Sequence, residues 1–165
     1  MTGKPRRSYE AGHRPKLLVV VDDTPECDRA AYYAARRAMR IGANVVMLAV
    51  VPPPDFQGWL GVGDVMQAEA EEEARRRLDT VGARIRAVAG LDPEAVVRTG
   101  AASEEIVALI EEDEDISLLV LAAGTDTDGP GPLVTALAGG ASGTFAVPIA
   151  IVPGQLGEAE IDALS

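Results

Sequence analysis

Continuous apolar runs alternate along this chain with segments in which apolar residues recur every three or four positions. Unbroken apolarity is typical of strands that are buried on both faces, whereas the three-and-four spacing is typical of helices. Strands are predicted at 17–21, 44–51, 95–99, 116–123 and 148–152. The clearest helix between them is a long one at 64–89, and a weaker pattern at 133–146 is interrupted by glycines.

The order of these elements, strand and helix in turn, predicts an α/β fold with an open five-stranded parallel sheet and helices on both faces. Pro25 and Gly42 bracket the first helix, which Asp23 or Thr24 could cap. Prolines at both ends of the last strand suit a sheet edge. We expect a single domain over 16–154, a basic disordered tail at 1–15 and a loose C-terminal tail at 155–165.

Composition narrows the class of partner. The 165 residues carry a net charge of −11, although residues 1–16 hold five basic residues against one acid. The body of the chain is therefore strongly acidic, which argues against binding to nucleic acid or to an anionic membrane surface. A single cysteine, and the lack of an apolar leader or a run long enough to span a bilayer, favour the cytoplasm.

Few residues offer catalytic chemistry. His13 is the only histidine and precedes the first strand, so a histidine-based triad or multi-histidine metal site is excluded. Cys27 lies on the apolar stripe of the first helix, where an inert core thiol is favoured over a nucleophile. Asp22 and Asp23 could hold Mg²⁺, but capping of the first helix explains them equally well. We therefore expect no catalytic residue and no metal site.

Three loops could serve a ligand. Asp22–Thr24 follows the first strand and Gly124–Pro132 follows the fourth, so these loops would line one crevice if the two strands are neighbours. A third loop at 55–63 holds Phe56 and the only tryptophan, Trp59. It is either a cover packed on the domain or a partner, or a mobile lid over an apolar ligand.

The chain resembles the universal stress protein family. The resemblance covers about residues 15–154 and is carried by VVVDDTPECDRAAYYAARRA, AVVPPP, RTGAASEEIVALIEEDEDISLLVLAAGT and VPIAIVP. It implies a Rossmann-like sheet of the adenine nucleotide alpha hydrolase type, in the order 3-2-1-4-5. It also implies a homodimer through the last strand, with Pro148, Ile149, Ala150, Ile151 and Val152 at the interface.

Family members that bind ATP use an aspartate after the first strand, a backbone contact after the second, and a glycine-rich loop after the fourth. By this resemblance, the candidate nucleotide contacts are Asp22, Val50, Gly124, Thr125, Gly129, Gly131 and Thr135. The match is partial. Thr127 stands where the loop's second glycine belongs, Thr135-Ala136 replaces glycine-serine, and the segment between is about two residues short.

The chemistry of this loop conflicts with a phosphate site. Pro130 and Pro132 have no N–H to donate, and Asp126 and Asp128 would face the phosphates unless Mg²⁺ intervened. We therefore expect a loop that derives from a phosphate loop and has lost its chemistry. The expected function is non-enzymatic: a dimeric stress-response protein that acts on an unidentified protein partner without tight ATP binding. The alternative is a member that binds ATP or AMP, with Mg²⁺, in the crevice.

Overall fold

The structure, a computed structural model, describes residues 4–53, 62–139 and 142–165. Most of the Phe/Trp loop predicted as a cover or a lid therefore lies outside the described residues. The described strands are β1 (Lys16–Val20), β2 (Asn44–Val51), β3 (Glu94–Thr99), β4 (Ile116–Ala123) and β5 (Ile149–Pro153). The α-helices are α1 (Cys27–Ile41), α2 (Val62–Ala89), α3 (Ala102–Glu112), α4 (Pro132–Ala138) and α5 (Glu158–Leu164).

The five strands form one parallel sheet in the order β3-β2-β1-β4-β5, which confirms the predicted fold. β1 lies at the centre, in register with β2 from Lys16↔Asn44 onward and with β4 at Leu18↔Leu119. The order reverses at β1, because β2 and β3 extend to one side of it while β4 and β5 extend to the other. In such sheets the loops at this reversal form the ligand crevice.

Two apolar layers cover the sheet, one on each face. Successive residues of β1 alternate between them: Leu17 and Val19 pack in the layer beneath α1 and α2, whereas Leu18 and Val20 pack in the layer beneath α3 and α4. All four are at most 8 % exposed. This burial on both faces explains why the strand sequences are continuous apolar runs.

Helix ends differ in detail from the sequence expectation. α1 begins at Cys27, two residues after Pro25, and neither Asp23 nor Thr24 caps it; the residue at its N-cap is Glu26, whose side chain makes no capping bond. Gly42 ends the helix in a left-handed conformation as predicted, with φ of 72°. α4 covers only the first half of 133–146, and a short 3₁₀ turn follows at Ser142–Thr144. None of the described helices is long and apolar enough to cross a membrane.

The N-terminal segment differs from the disordered tail that we expected. Residues 4–15 pack along the amino end of the sheet, where two arginines reach the C-terminal ends of helices on opposite faces. The Arg6 guanidinium donates to the carbonyl oxygens of Ile110, at 2.7 Å, and of Asp113, at 3.1 Å. Arg14 donates to the carbonyls of Gly42 and Ala43. Carbonyls at helix ends lack intrahelical partners, and the arginines supply them.

The C-terminal residues also differ from the expected loose tail. They form α5, which packs on α1 through Ile161, a side chain with no exposed surface. The Tyr32 hydroxyl donates to Asp162 at 2.8 Å, and this hydrogen bond raises the pKa of Tyr32. Arg84 of α2 pairs with Glu158 at 2.8 Å. The chain therefore contributes ordered structure well beyond the domain boundary predicted at 154.

Candidate functional site

The carboxyl ends of β1 and β4 frame an inner cavity of about 80 Å³. Because the two strands are neighbours, the loops that follow them lie together at this edge of the sheet. The cavity walls are mostly apolar, and the lining residues are Val20, Asp22, Thr24, Glu26, Cys27, Ala30, Leu121, Ala122, Pro130, Gly131, Pro132, Leu133 and Val134. Sites for small organic ligands usually measure about 300–1,000 Å³, so this cavity alone is too small for a nucleoside.

An open crevice of about 600 Å³ lies beside the inner cavity, over the loop after β4. Its lining residues are Glu26, Gly124, Asp126, Asp128, Gly129, Gly131, Pro132, Thr135 and Ala136. Three of these are carboxylates, and none is a lysine, arginine or histidine. The crevice is large enough for a nucleotide tail, but its charge is of the same sign as a phosphate.

Asp22, the candidate adenosine contact, lies in the wall of the inner cavity. Its Oδ1 accepts a hydrogen bond from the Thr24 backbone N–H at 3.0 Å and another from the Thr24 hydroxyl at 2.5 Å. The aspartate thereby closes the turn between β1 and α1, a role that short acidic side chains commonly take. One oxygen of Asp22 is therefore committed to the turn.

The glycine-rich loop after β4 closes on itself. The N–H of Gly124 donates to the carbonyl of Pro130 at 2.9 Å, and the N–H of Gly129 donates to the carbonyl of Asp126 at 3.2 Å. Gly129 and Gly131 have φ of 103° and 110°, conformations that favour glycine, so the unusual backbone path expected at these residues is present. Two N–H groups that a phosphate cradle would present are therefore bonded within the loop.

Thr135 stands on α4 and faces the open crevice together with Ala136. The Thr135 hydroxyl donates to the carbonyl of Gly131 one turn earlier, at 2.9 Å, and its N–H donates to the same oxygen. Ala136 has no polar side-chain atom. At the positions where the resemblance implies glycine and serine, the chain thus presents one committed hydroxyl and one methyl group.

Two predicted contacts are not in the lining of either cavity. Val50 is the last residue but one of β2 and packs at the edge of the core beneath α3. Thr125 follows Gly124, and its Cγ2 atom lies 3.4 Å from where a Cβ on Gly154 would stand. The structure therefore brings Asp22, Gly124, Gly129, Gly131 and Thr135 to one edge of the sheet, and places Val50 and Thr125 at its margins.

Glu26 is the site residue that the sequence analysis missed. It lines both the inner cavity and the open crevice. From sequence alone an acid in this position is explained by the helix N-terminus, where negative charge is favourable. Its proximity to the loop after β4 depends on the pairing of β1 with β4, which no local pattern displays.

Cys27 lies deep in the inner cavity wall and is 7 % exposed. Burial raises the pKa of its thiol to about 11, and the negative charges of Asp22, Asp28 and Glu26 act in the same direction. A thiol that stays protonated at neutral pH is a poor nucleophile. Within the part of the chain that the structure describes, no group of three or more potential ligand side chains is arranged to hold a metal ion.

The residues predicted at a dimer interface form the edge of the sheet opposite β3. Pro148 precedes β5, and Ile149 to Val152 belong to it. The Leu119 N–H donates to the carbonyl of Pro148 at 3.0 Å, and the Gly154 N–H donates to the carbonyl of Ala123 at 2.9 Å. Because bonding to a neighbour alternates along a strand, the N–H and C=O of Ile149 and Ile151 point away from β4.

Comparisons with known proteins agree with this geometry. Structures with a similar fold include the universal stress protein UspA from Lactobacillus plantarum, with a TM-score of 0.70 and 16 % identity, covering 84 % of this chain and 97 % of that one. A universal stress family protein from Burkholderia pseudomallei has a TM-score of 0.65 and 22 % identity, covering 84 % and 95 %.

A third structure, from Arabidopsis thaliana, has AMP bound and a TM-score of 0.55 at 17 % identity, covering 84 % and 91 % of the two chains. No curated protein matches the chain by sequence. The model of the universal stress protein family matches residues 13–134, which span β1 to β4 and the loops around the crevice. The chain therefore belongs to the universal stress protein family.

Proposed function

We propose that this protein is a non-enzymatic, dimeric member of the family that does not bind adenine nucleotides tightly and acts through contact with another protein. The loop after β4 is the observation that carries the proposal. Its backbone closes through the bond from Gly124 to Pro130, and Pro130 and Pro132 supply no donors. A phosphate cradle requires several free N–H groups aimed at the anion, and this loop retains few.

Charge supports the same conclusion. Glu26, Asp126 and Asp128 line the crevice in which a triphosphate would lie. One pair of like charges 4 Å apart repels by about 1 kcal/mol in water and about 4 kcal/mol in a partly buried site. None of the described residues that line the crevice is an arginine or a lysine that would offset that repulsion, so a polyphosphate would need an accompanying cation.

A second candidate function is binding of ATP or AMP in this crevice. The adjacency of the loops after β1 and β4 favours it, as does the AMP bound to the Arabidopsis relative. Titration calorimetry with ATP and with AMP, each with and without Mg²⁺, separates the two candidates. We expect no binding tighter than about 1 mM, an affinity worth only about 4 kcal/mol. Micromolar binding of either nucleotide would establish the second candidate instead.

Restoring the family loop provides the matched experiment. A variant that combines Thr135→Gly and Ala136→Ser with Asp126→Ala regains backbone freedom, a hydroxyl and a smaller negative charge. It should bind ATP measurably, whereas the control with only Thr135→Gly and Ala136→Ser should bind more weakly because Asp126 remains. If the triple variant binds no better than wild type, the three substituted residues do not account for the weak binding.

The dimer is proposed through antiparallel pairing of two β5 edges. Ile149 and Ile151 direct their backbone groups outward, and Ile151 is 39 % exposed. Residues 148–153 carry no charge that would protect a free edge from pairing. A second copy related by a two-fold axis presents the same backbone N–H and C=O groups, so the two β5 edges can form hydrogen bonds with each other.

We also place the protein in the cytoplasm, an inference that rests on its one cysteine, which is free and buried.

A further inference from the structure

The Glu26 side chain stands between the inner cavity and the open crevice. It belongs to the lining of both, as do Gly131 and Pro132, but only Glu26 comes from the β1 side of the sheet's edge. The two spaces therefore meet at Glu26 on the β1 side and at the loop after β4 on the other side. A substitution of Glu26 changes the β1 side of this boundary and leaves the sequence of the loop intact.

Two glycines leave room for this side chain. A Cβ atom built on Gly124 would lie 3.1 Å from Glu26 Oε1, and one built on Gly154 would lie 3.1 Å from Glu26 Cβ. Both distances are tighter than ordinary contact, so the carboxylate arm fits because these two positions lack side chains. Gly154 itself is fixed by its N–H bond to Ala123 at 2.9 Å.

No other structural role of the Glu26 carboxylate is apparent in the described residues. It makes no capping bond at the start of α1, and no hydrogen bond or ion pair joins it to another described side chain. Its position at the N-terminus of α1 is favourable for a negative charge, an effect worth about 0.3–1 kcal/mol at an exposed site and up to about 2 kcal/mol at a partly buried one such as this. Replacing Glu26 should therefore reduce the stability modestly and leave the fold itself unchanged.

We propose that Glu26 is the residue that decides which ligand can enter this crevice, and that it does so by its bulk, dividing a space that would otherwise accept an uncharged nucleoside. Apolar walls at Val20, Leu121 and Val134 suit a flat heteroaromatic ring. Asp22 offers an acceptor to hydroxyl or amino groups, whereas Asp126 and Asp128 still repel phosphate. The opened crevice would thus select a nucleoside over a nucleotide.

The inference rests on the proposed function, because it assumes that wild type excludes nucleotides. The test compares wild type with Glu26→Ala, which removes bulk and charge, and with Glu26→Gln, which removes charge alone. Glu26→Ser is a second small variant, since serine is favoured at a helix N-cap. Thermal unfolding of each variant verifies that it is folded before calorimetry with adenosine and with ATP.

We expect both small variants to bind adenosine at least about tenfold more tightly than wild type does, a change worth about 1.4 kcal/mol. Glu26→Gln should bind adenosine as wild type does, and ATP should gain less than adenosine in the small variants because Asp126 and Asp128 still repel its phosphates. The methyl NMR resonances of Leu121 and Val134 should shift when adenosine is added to Glu26→Ala but not when it is added to wild type. Such a shift would show that the ligand reaches the inner cavity.

Two results would overturn the inference. Equal adenosine affinity in wild type and both small variants would show that Glu26 does not restrict entry. A gain in Glu26→Gln as large as in Glu26→Ala would show that charge decides rather than bulk. Tight ATP binding by wild type would instead contradict the proposed function, so the two failures can be told apart.

Discussion

Replacing Arg6 with alanine should destabilise the fold at the C-terminal end of α3. Ile110 and Asp113 lie 104 and 107 residues from Arg6 in the chain, yet the Arg6 guanidinium donates to their carbonyls. The last turn of α3 contains no basic residue, and Glu111 and Glu112 add negative charge where the helix end is already negative. Arg6 thus brings a cation to the carbonyls of this helix end, whereas Lys16 and Arg98 pair with the carboxylates of Asp113 and Glu112.

The magnitude follows from these contacts. Hydrogen bonds from a charged donor are worth about 1.5–3 kcal/mol each. Ordering the long side chain costs about 2 kcal/mol. The buried Nε of Arg6 finds no hydrogen-bond partner among the described residues, which reduces the gain further. The expected loss in the free energy of unfolding for Arg6→Ala is therefore about 2 kcal/mol.

Urea denaturation followed by far-ultraviolet circular dichroism measures this loss. With a slope of about 2 kcal/mol per M, the midpoint should fall by about 1 M. All variants must be compared at one protein concentration, because a dimer's stability depends on it. The matched control is Arg7→Ala, whose side chain is 46 % exposed and pairs with Glu10 at 2.7 Å and with Glu114 at 3.5 Å.

Exposed ion pairs of this kind contribute little, so Arg7→Ala should change the free energy of unfolding by less than about 1 kcal/mol. If Arg6→Ala and Arg7→Ala destabilise the protein equally, or if neither does, the N-terminal segment does not stabilise α3 through Arg6. The reasoning would then be refuted, and the segment would be only loosely attached in solution.

Three further predictions concern acid stability, thiol reactivity and assembly. Burial alone would raise the pKa of Asp28, but hydrogen bonds from Arg84 and a neighbouring arginine hold it below the ordinary value. Its stabilising contribution is therefore present above pH 4 and lost as pH falls through the lowered pKa, so Asp28→Asn should flatten the acid limb of a stability–pH curve. Because the pKa of Cys27 is about 11 against a usual 9.0, its alkylation at pH 8 should be at least about 100-fold slower in the folded than in the urea-unfolded protein, and equal rates would contradict its burial. Ile151→Lys should convert dimers to monomers in analytical ultracentrifugation, whereas Met66→Lys, at an exposed position on α2, should not; unchanged dimers would exclude the β5 edge.

Local sequence patterns predicted the sheet well because a strand that is buried on both faces consists of consecutive apolar residues. β2 and β4 occupy the predicted ranges 44–51 and 116–123 without change, and the order of the strands agrees with the resemblance. The long helix was also predicted closely, since Ala74, Leu78 and Ile85 repeat at helical spacing and are buried. Most of the boundaries that shifted lie beside a proline or a glycine, although β1 ends at Val20 rather than at 21 with neither beside it.

The two tails were predicted poorly because their partners are remote in sequence. Arg6 donates hydrogen bonds to backbone carbonyls, which every residue carries. The side chains near Ile110 therefore give no sign of this contact in the sequence. α5 is only seven residues long and has one fully buried apolar side chain, Ile161. A single buried position cannot show the three-and-four spacing from which a helix is predicted. Both segments are ordered by surfaces that exist only after the sheet and its helices have assembled.

The candidate site divides in the same way. Sequence alone determined the chemistry of the loop after β4, because proline lacks an N–H and aspartate carries a negative charge wherever the chain places them. Only the tertiary structure decided that Glu26 lines both cavities, because that depends on the pairing of β1 with β4 and on the closeness of Glu26 to Gly124 and Gly154. The chemical groups of a residue follow from its identity and can be read from the sequence. The space that its side chain fills depends on strands that pair from distant parts of the chain.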